Sequence, residues 1–260
     1  MKSKALVILS GGQDSTTCLF WAKRQFDEVH AITFDYGQLH SIEIDSAVTV
    51  AAMANVASHE IVKVPNCLIS TSPLTTGEGL ERYENFEQMD KEIGKRRELT
   101  FVPMRNALFL TIAANRAEAL GIPNIVTGVC QMDNANYDDC RATFIDAATE
   151  YINYALGHDH RGTQPIRILT PLMTLTKAQT VKLSLELPFC WDALAYSHTS
   201  YDGKYPPTDM NHANVLRAQG FFEANLPDPL VVRAWREGLM DLPETKNYNL
   251  VRMEKQNADC

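Results

Sequence analysis

The 260-residue chain has no surplus of positive charge, no closely paired cysteines and no long apolar run, and each absence removes a class of protein. Its 24 lysines and arginines are outnumbered by 32 aspartates and glutamates, a formal net charge of −8. A chain so charged is not built to hold a nucleic-acid backbone by neutralising phosphates, so no direct nucleic-acid partner is expected. No apolar stretch reaches the roughly 18 residues that a bilayer-spanning helix needs, and no membrane association is expected. The six cysteines, at 18, 67, 130, 140, 190 and 260, include no C-x-x-C pair and read as free thiols. Met1-Lys2-Ser3-Lys4 leads into an apolar run without the pattern of a secretory leader. Together these features predict a cytoplasmic protein. With 45% hydrophobic and 22% charged residues, the chain has the composition of a globular protein able to bury a sizeable core.

What is present is concentrated first in Ser10-Gly11-Gly12-Gln13-Asp14-Ser15-Thr16-Thr17. The apolar run Ala5–Leu9 before it reads as a buried strand, and Thr16 to Gln25 after it as a helix. A strand that ends in two glycines and runs straight into a helix presents free backbone N–H groups at the positive end of that helix, a cradle for phosphate. Gly11 and Gly12 allow positive φ and close approach of a ligand, and the serine and threonine hydroxyls add donors. No lysine follows the glycines, so this is not a Walker loop, and the spacing is not the G-x-G-x-x-G of dinucleotide folds. A structural turn has no use for Asp14. Beside a polyphosphate its carboxylate is tolerable with Mg²⁺ between them, which makes Asp14 the metal-ligand candidate.

Strand-like and helix-like runs then alternate. Val29–Phe34 reads as a second strand, Ile42–Ala54 as a helix and His59–Val64 as a third, weaker strand. Residues 65–99 are too long for a simple connection and read as a lid or active-site insertion, with the charge-rich part Glu81–Glu98 expected in solvent. A buried helix is predicted over Asn106–Leu120, ending at Gly121, followed by a strand at Asn124–Thr127 and a helix over Asp139–Leu156. Ile166–Leu169 reads as the last strand, and Thr176 as the N-cap of a helix running to Leu185. The alternation predicts an α/β doubly wound parallel sheet of about five strands, with the ligand site at the strands' carboxyl ends. The expected division is an α/β domain over 1–187 and a small C-terminal helical and loop appendage over 188–260.

Every polar cluster falls at such a strand end. After the second strand, Phe34–His40 reads either as a turn with Gly37 left-handed or, beside the loop at Ser10, as a segment from which Gln38 and His40 face a nucleotide. Arg105 stands at a helix start, where its charge opposes the helix dipole, so a phosphate contact explains it better than helix stability does. Lys177 stands at another helix start and is a candidate stabiliser of developing phosphate charge. The loop after Thr127-Gly128 holds Asp133, Tyr137, Asp138, Asp139 and Arg141, acceptors and a stacking ring that suit a planar heterocycle; Asp139 is equally suited to cap the helix that follows. Cys130 and Cys140 have no histidine nearby in sequence and read as packing residues.

Five segments together resemble one family, the 7-cyano-7-deazaguanine synthases of queuosine biosynthesis: SGGQDSTTC (10–18), TFDYGQLH (33–40), TFVPMRNALFLTIAA (100–114), TGVCQMDNANYDDCR (127–141) and LTPLMTLTKA (169–178). The likeness runs over about residues 4–185 and continues more weakly through VLRAQGF (215–221). It implies an adenine-nucleotide alpha hydrolase-like fold, ATP and Mg²⁺, and a homodimer. It implies ATP contacts at Ser10, Gly11, Gly12, Gln13, Asp14, Ser15, Thr16, Gln38, Arg105 and Gly128, with Asp14, Arg105 and Lys177 catalytic. Tyr36, His40, Asp133, Tyr137, Asp139 and Arg141 would surround the substrate. The implied reaction activates 7-carboxy-7-deazaguanine as an adenylate, forms an amide with ammonia, and dehydrates that amide to the nitrile with a second ATP.

Two departures stand out. Four cysteines of the family that hold a structural Zn²⁺ correspond here to Ser200, Thr208, Asn211 and Asn214, none a good zinc ligand. His198, Asp209 and His212 lie nearby at no zinc-like spacing, so no zinc is expected, and hydrogen bonds with the Pro206-Pro207 turn are expected to hold the segment. Met104 stands where the family has glycine. The departures leave open a paralogue that passes the activated acid to another amine on a protein or nucleic acid. A nucleotide-binding regulator without catalysis would require loss of the ATP residues, which are intact.

Overall fold

Ala5, Leu6 and Val7 of strand β1 (Lys4–Ile8) are at most 2% exposed, which fits a strand covered on both faces. The computed structural model describes every residue except 1, 39–41, 65–67, 69, 77, 134, 135, 259 and 260, together with the side chains up to 253. In chain order β1 is followed by α1 (Gln13–Gln25), β2 (Glu28–Asp35), α2 (Ile42–Met53), β3 (Ser58–Lys63), α3 (Pro73–Thr76), α4 (Phe86–Ile93) and α5 (Arg105–Leu120). Then come β4 (Asn124–Val126), α6 (Ala142–Leu156), α7 (His158–Arg161), β5 (Arg167–Leu169), α8 (Lys177–Glu186), α9 (Cys190–Leu194), α10 (His212–Ala224), α11 (Pro229–Arg236) and α12 (Asn249–Ala258).

The five strands form one parallel sheet in the order β3-β2-β1-β4-β5. Alternation along β1 sends Ala5 and Val7 to one face, where they pack with Leu19 of α1, Val50 of α2 and Val181 of α8. Leu6 goes to the other face, with Leu110 and Ala113 of α5 and Ile145 and Ile152 of α6. Helices on both faces make the sheet doubly wound, as expected. The order reverses between β1 and β4, and their carboxyl ends open the crevice where such sheets bind ligands. Cys190, Ala193, Leu194 and Phe221 share the cluster of Leu9 and Leu19, so the core continues across residue 187.

Three local expectations are corrected. Helix α1 begins at Gln13 because Gly12, extended at φ −79°, serves as its N-cap, which brings Gln13, Asp14 and Ser15 into the first turn. The helix expected from Asp139 is split: Asp138–Cys140 form a 3₁₀ turn, Arg141 is extended at ψ 152°, and α6 starts at Ala142, so Asp139 does not cap it and its carboxylate accepts from the Asn106 N–H in the first turn of α5 instead. Within 81–98, Tyr83, Met89 and Ile93 are at most 2% exposed and pack on Val215 and Leu216. Helical spacing puts Phe86, Met89 and Ile93 on one face of α4 and leaves the charges to the other, a pattern that the high charge of the segment hides. The Thr176 cap, by contrast, is present as a full capping box with Gln179.

Met104 takes the left-handed conformation, φ 64° and ψ 5°, immediately before α5. A side chain is disfavoured there by about 1–2 kcal/mol, less what glycine loses in chain entropy on folding. Its side chain is exposed, so removing it sacrifices no packing. Met104→Gly is therefore expected to raise stability by roughly 0.5–1 kcal/mol in denaturant melts; an unchanged or lower midpoint would show that the αL backbone is unstrained.

Candidate active site

The crevice between β1 and β4 is a cavity of about 300 Å³. Its floor is the loop from β1 into α1. Gly11, at φ +86°, has no room for a side chain: a Cβ would stand 2.3 Å from the Glu43 carbonyl oxygen and 2.8 Å from the Ala47 nitrogen of α2. Gly128, past β4, is packed less closely but still tightly, with a Cβ position 3.1 Å from the Ser15 nitrogen. The Ser15 hydroxyl donates to the Gly12 carbonyl (3.1 Å) and lies 3.0 Å from the Ser10 hydroxyl, which locks the turn. The first intrahelical bond of the turn is Thr16 N–H to Gly12 (3.0 Å), which leaves the N–H groups of Gln13, Asp14 and Ser15 without helical acceptors.

Above that turn, the Lys177 ammonium donates to Asp14 Oδ2 (2.9 Å) and Asp133 Oδ2 (3.0 Å). Burial works against the charge of Lys177, but the two carboxylates outweigh it and raise its pKa. Burial raises the pKa of Asp14, with repulsion from Asp133 adding to it and Lys177 opposing it. The second oxygen, Asp14 Oδ1, is buried and has no hydrogen-bond partner among the described residues. Lys177 is held from behind by α10: a Cβ on Gly220 would fall 2.4 Å from Lys177 Cγ.

An aromatic wall faces this end. Phe34 stacks on Phe109 at 4.2 Å, with Tyr36 tilted against the same ring. The Arg105 guanidinium lies 5.9 Å over Tyr36; burial opposes its charge, but Tyr36, Tyr137, Tyr201 and Asp139 around it raise its pKa. Glu43 also lines this wall, and burial pushes its carboxyl up to about 7 despite Arg105. The third wall carries Tyr137, whose hydroxyl meets Thr100, which in turn donates to the buried Glu98, together with Tyr201, His198 and His212.

Of the residues singled out in the sequence, the cavity brings together Ser10, Gly12, Gln13, Asp14, Ser15, Tyr36, Gln38, Arg105, Gly128, Asp133, Tyr137 and Lys177. Gly11 shapes it through the backbone. Gln38 folds onto its own turn, accepting from Tyr36 N–H (2.9 Å). Asp133 faces Lys177. Thr16 is fully buried behind the loop, and Asp139 and Arg141 do not line the cavity. Arg141 is half exposed, 3.9 Å from Asp138. His40 lies outside the described residues. Burial pushes the Cys130 and Cys140 thiols up to about 12, so both stay protonated. Sequence reasoning missed Glu43, Tyr201 and Arg217 in the lining, and it considered His198 and His212 only as metal ligands. Tyr201 and the histidines stand in the segment that departs from the family pattern, where the signal was read as a loss.

The positions corresponding to the missing cysteines form their own structure. Asn211 and Asn214 donate to the Ser200 hydroxyl (3.1 and 2.8 Å), which donates to Asp202. Asn211 also donates to Asp209 Oδ2 (3.0 Å), Asn214 donates to the Asp209 carbonyl (2.8 Å), and Asn211 caps α10 by accepting from Asn214 N–H. Thr208 is exposed and outside this knot.

A doubly wound parallel sheet with a glycine-rich anion loop at its switch point defines an α/β protein of the nucleotide-loop class. The chain belongs to the QueC family: the family described as "Queuosine biosynthesis protein QueC" matches residues 4–225. Relatives called 7-cyano-7-deazaguanine synthase extend over nearly their whole length. The one from Gloeobacter violaceus is 46% identical, over 87% of this chain and 95% of its own. Those from Laribacter hongkongensis and Chromobacterium violaceum are 47% and 43% identical, over 88% and 90% of this chain and 94% and 95% of theirs. No described helix is long and apolar enough to cross a membrane.

Proposed function

We propose that the chain converts 7-carboxy-7-deazaguanine and ammonia to 7-cyano-7-deazaguanine at the expense of two ATP. The observation that carries this is the turn at Gln13–Ser15, whose N–H groups have no helical acceptors, beside Lys177 in the same cavity as the Phe34, Phe109 and Tyr36 rings. A carboxylate oxygen of the acid attacks the α-phosphorus of ATP, and pyrophosphate leaves with the electron pair. Ammonia then bonds to the acyl carbon, AMP departs, and a proton is released, giving the amide. The amide oxygen attacks the α-phosphorus of a second ATP, pyrophosphate leaves again with the electron pair, and loss of AMP and two N–H protons leaves the nitrile. The backbone N–H groups and Lys177 stabilise the negative charge that gathers on the phosphates, and Arg105 stands ready for the opposite end.

The donor set fits Mg²⁺. A buried carboxylate oxygen without a partner, Asp14 Oδ1, is a hard ligand beside a polyphosphate cradle, and Asp133 stands across Lys177 from it. The ion supplies charge neutralisation for the triphosphate when bound. The full-length likeness to relatives named synthase does not favour the paralogue reading. The cytoplasmic setting and the homodimer belong to this proposal, and the net charge of −8 supports small-molecule rather than nucleic-acid partners. Incubation with ATP, Mg²⁺, the acid and ¹⁵N-ammonia is expected to yield ¹⁵N-nitrile with AMP and pyrophosphate, read by mass spectrometry. Accumulation of adenylate or amide alone would overturn the synthase assignment.

Zinc does not fit the knot around Ser200. Its donors are a hydroxyl and two amides already hydrogen-bonded to one another, and among the described residues no group of three histidine, cysteine or acidic side chains is placed to hold a metal. The proposal is a metal-free fold of residues 198–214. Metal analysis is expected to find no stoichiometric zinc, and a chelator is expected to leave the melting temperature unchanged; one tightly bound zinc per chain would contradict it.

A further inference from the structure

His212 is the first residue of α10 and is 3% exposed, yet it lines the cavity. Neither of its ring nitrogens has a hydrogen-bond partner among the described residues. A buried imidazole normally satisfies both nitrogens, since each unmade hydrogen bond costs about 1–3 kcal/mol. His198, by contrast, donates from Nε2 to the Ser200 carbonyl (3.0 Å). The unsatisfied pair in His212 therefore points to a ligand. We propose that His212 is a substrate-binding residue that hydrogen-bonds the heterocycle of the acid rather than ATP. This inference rests on the synthase reading above.

Three observations select the heterocycle. The charges that act on His212 are Glu98, Lys177 and Arg96, and burial holds its pKa down to about 4, so the ring is neutral and offers one donor and one acceptor. A neutral ring brings no charge to phosphate binding, for which the cavity already has the first turn of α1, Lys177 and Arg105. A purine-like ring with both amino and carbonyl groups matches a donor and an acceptor. Glu98 acts on His212 as it does on Tyr137 and Tyr201, so the imidazole faces the cavity on the side of those two rings.

The knot supplies the positioning. Asn211 and Asn214, on either side of His212 in the first turn of α10, are the two amides bound to the Ser200 hydroxyl. That pairing fixes the start of the helix and with it the direction of the imidazole. In this chain a hydrogen-bonded cap carries the side chain to the cavity without any metal.

The test is steady-state kinetics and direct binding with His212→Phe, which keeps a flat ring and removes both hydrogen bonds. The expected result is a KM for 7-carboxy-7-deazaguanine raised about tenfold, the effect of one to two hydrogen bonds, with the KM for ATP within about twofold of wild type. Calorimetric binding of the acid without ATP is expected to weaken equally, and His212→Asn, which keeps a donor and an acceptor, to recover part of the loss. Unchanged acid affinity in His212→Phe would overturn the inference and show that the nitrogens meet water only. A rise confined to the KM for ATP would also overturn it. If His212→Phe does not fold, the comparison rests on His212→Asn and His212→Leu, judged by the same ratio. Wild-type protein that neither binds nor turns over the acid would defeat the synthase reading itself, a result distinct from failure of the role of His212.

Discussion

The rest of the site depends on one buried interaction, the Lys177 ammonium between Asp14 and Asp133. Its three members come from the first turn of α1, the loop after β4 and the first residue of α8, so it ties the two halves of the sheet together across their switch point. Two carboxylates outnumber one cation, and the interior cannot hold the excess charge cheaply. The unpartnered Asp14 Oδ1 is that excess made visible. A cation held there with a polyphosphate, as proposed, would balance that charge.

The geometry that keeps Lys177 in place is steric as much as electrostatic. Gly220 lets α10 approach its Cγ, and Gly128 lets the β4 loop approach Ser15. Helix α10 is anchored in turn by Arg217, 3% exposed, which makes a two-pronged pair with Asp228 (2.6 and 2.9 Å) and reaches the Ser197 and Thr199 hydroxyls (both 2.9 Å). Asp228 also caps α11 through Leu230 N–H. A charge pair so buried is strongly destabilising to break from one side, because the remaining partner has no water to return to. The C-terminal segment thus forms a structural wall of the cavity, joined to it by Arg217 and by the knot at Ser200.

Much of this was legible in the sequence because it is local. Two glycines between an apolar run and a helix announce an anion loop, and Thr176 at the head of a helical run announces an N-cap, which the fold completes as a capping box with Gln179. The strand and helix alternation was sufficient for the parallel sheet. What was not legible depends on partners far along the chain. Nothing near Glu43 in sequence says that it will stand in a wall with Arg105, and nothing near Asp133 says that it will meet Lys177 rather than a heterocycle. Met89 and Ile93 lie among charges, so their burial against Val215 and Leu216 showed only in the helical spacing. Asp139 has the composition of a cap but not the position, because the extended backbone at Arg141 starts the helix later. The loss of four thiols was visible, while their replacement by a polar knot required the fold, since it joins Ser200 to residues eleven and fourteen positions away.

The most direct test of the account is a crystal structure with a non-hydrolysable ATP analogue and Mn²⁺, with the metal located by anomalous scattering. The account predicts phosphates on the N–H groups of Gln13–Ser15 and a manganese peak beside Asp14. Phosphates bound away from that turn, or no metal at Asp14, would contradict it.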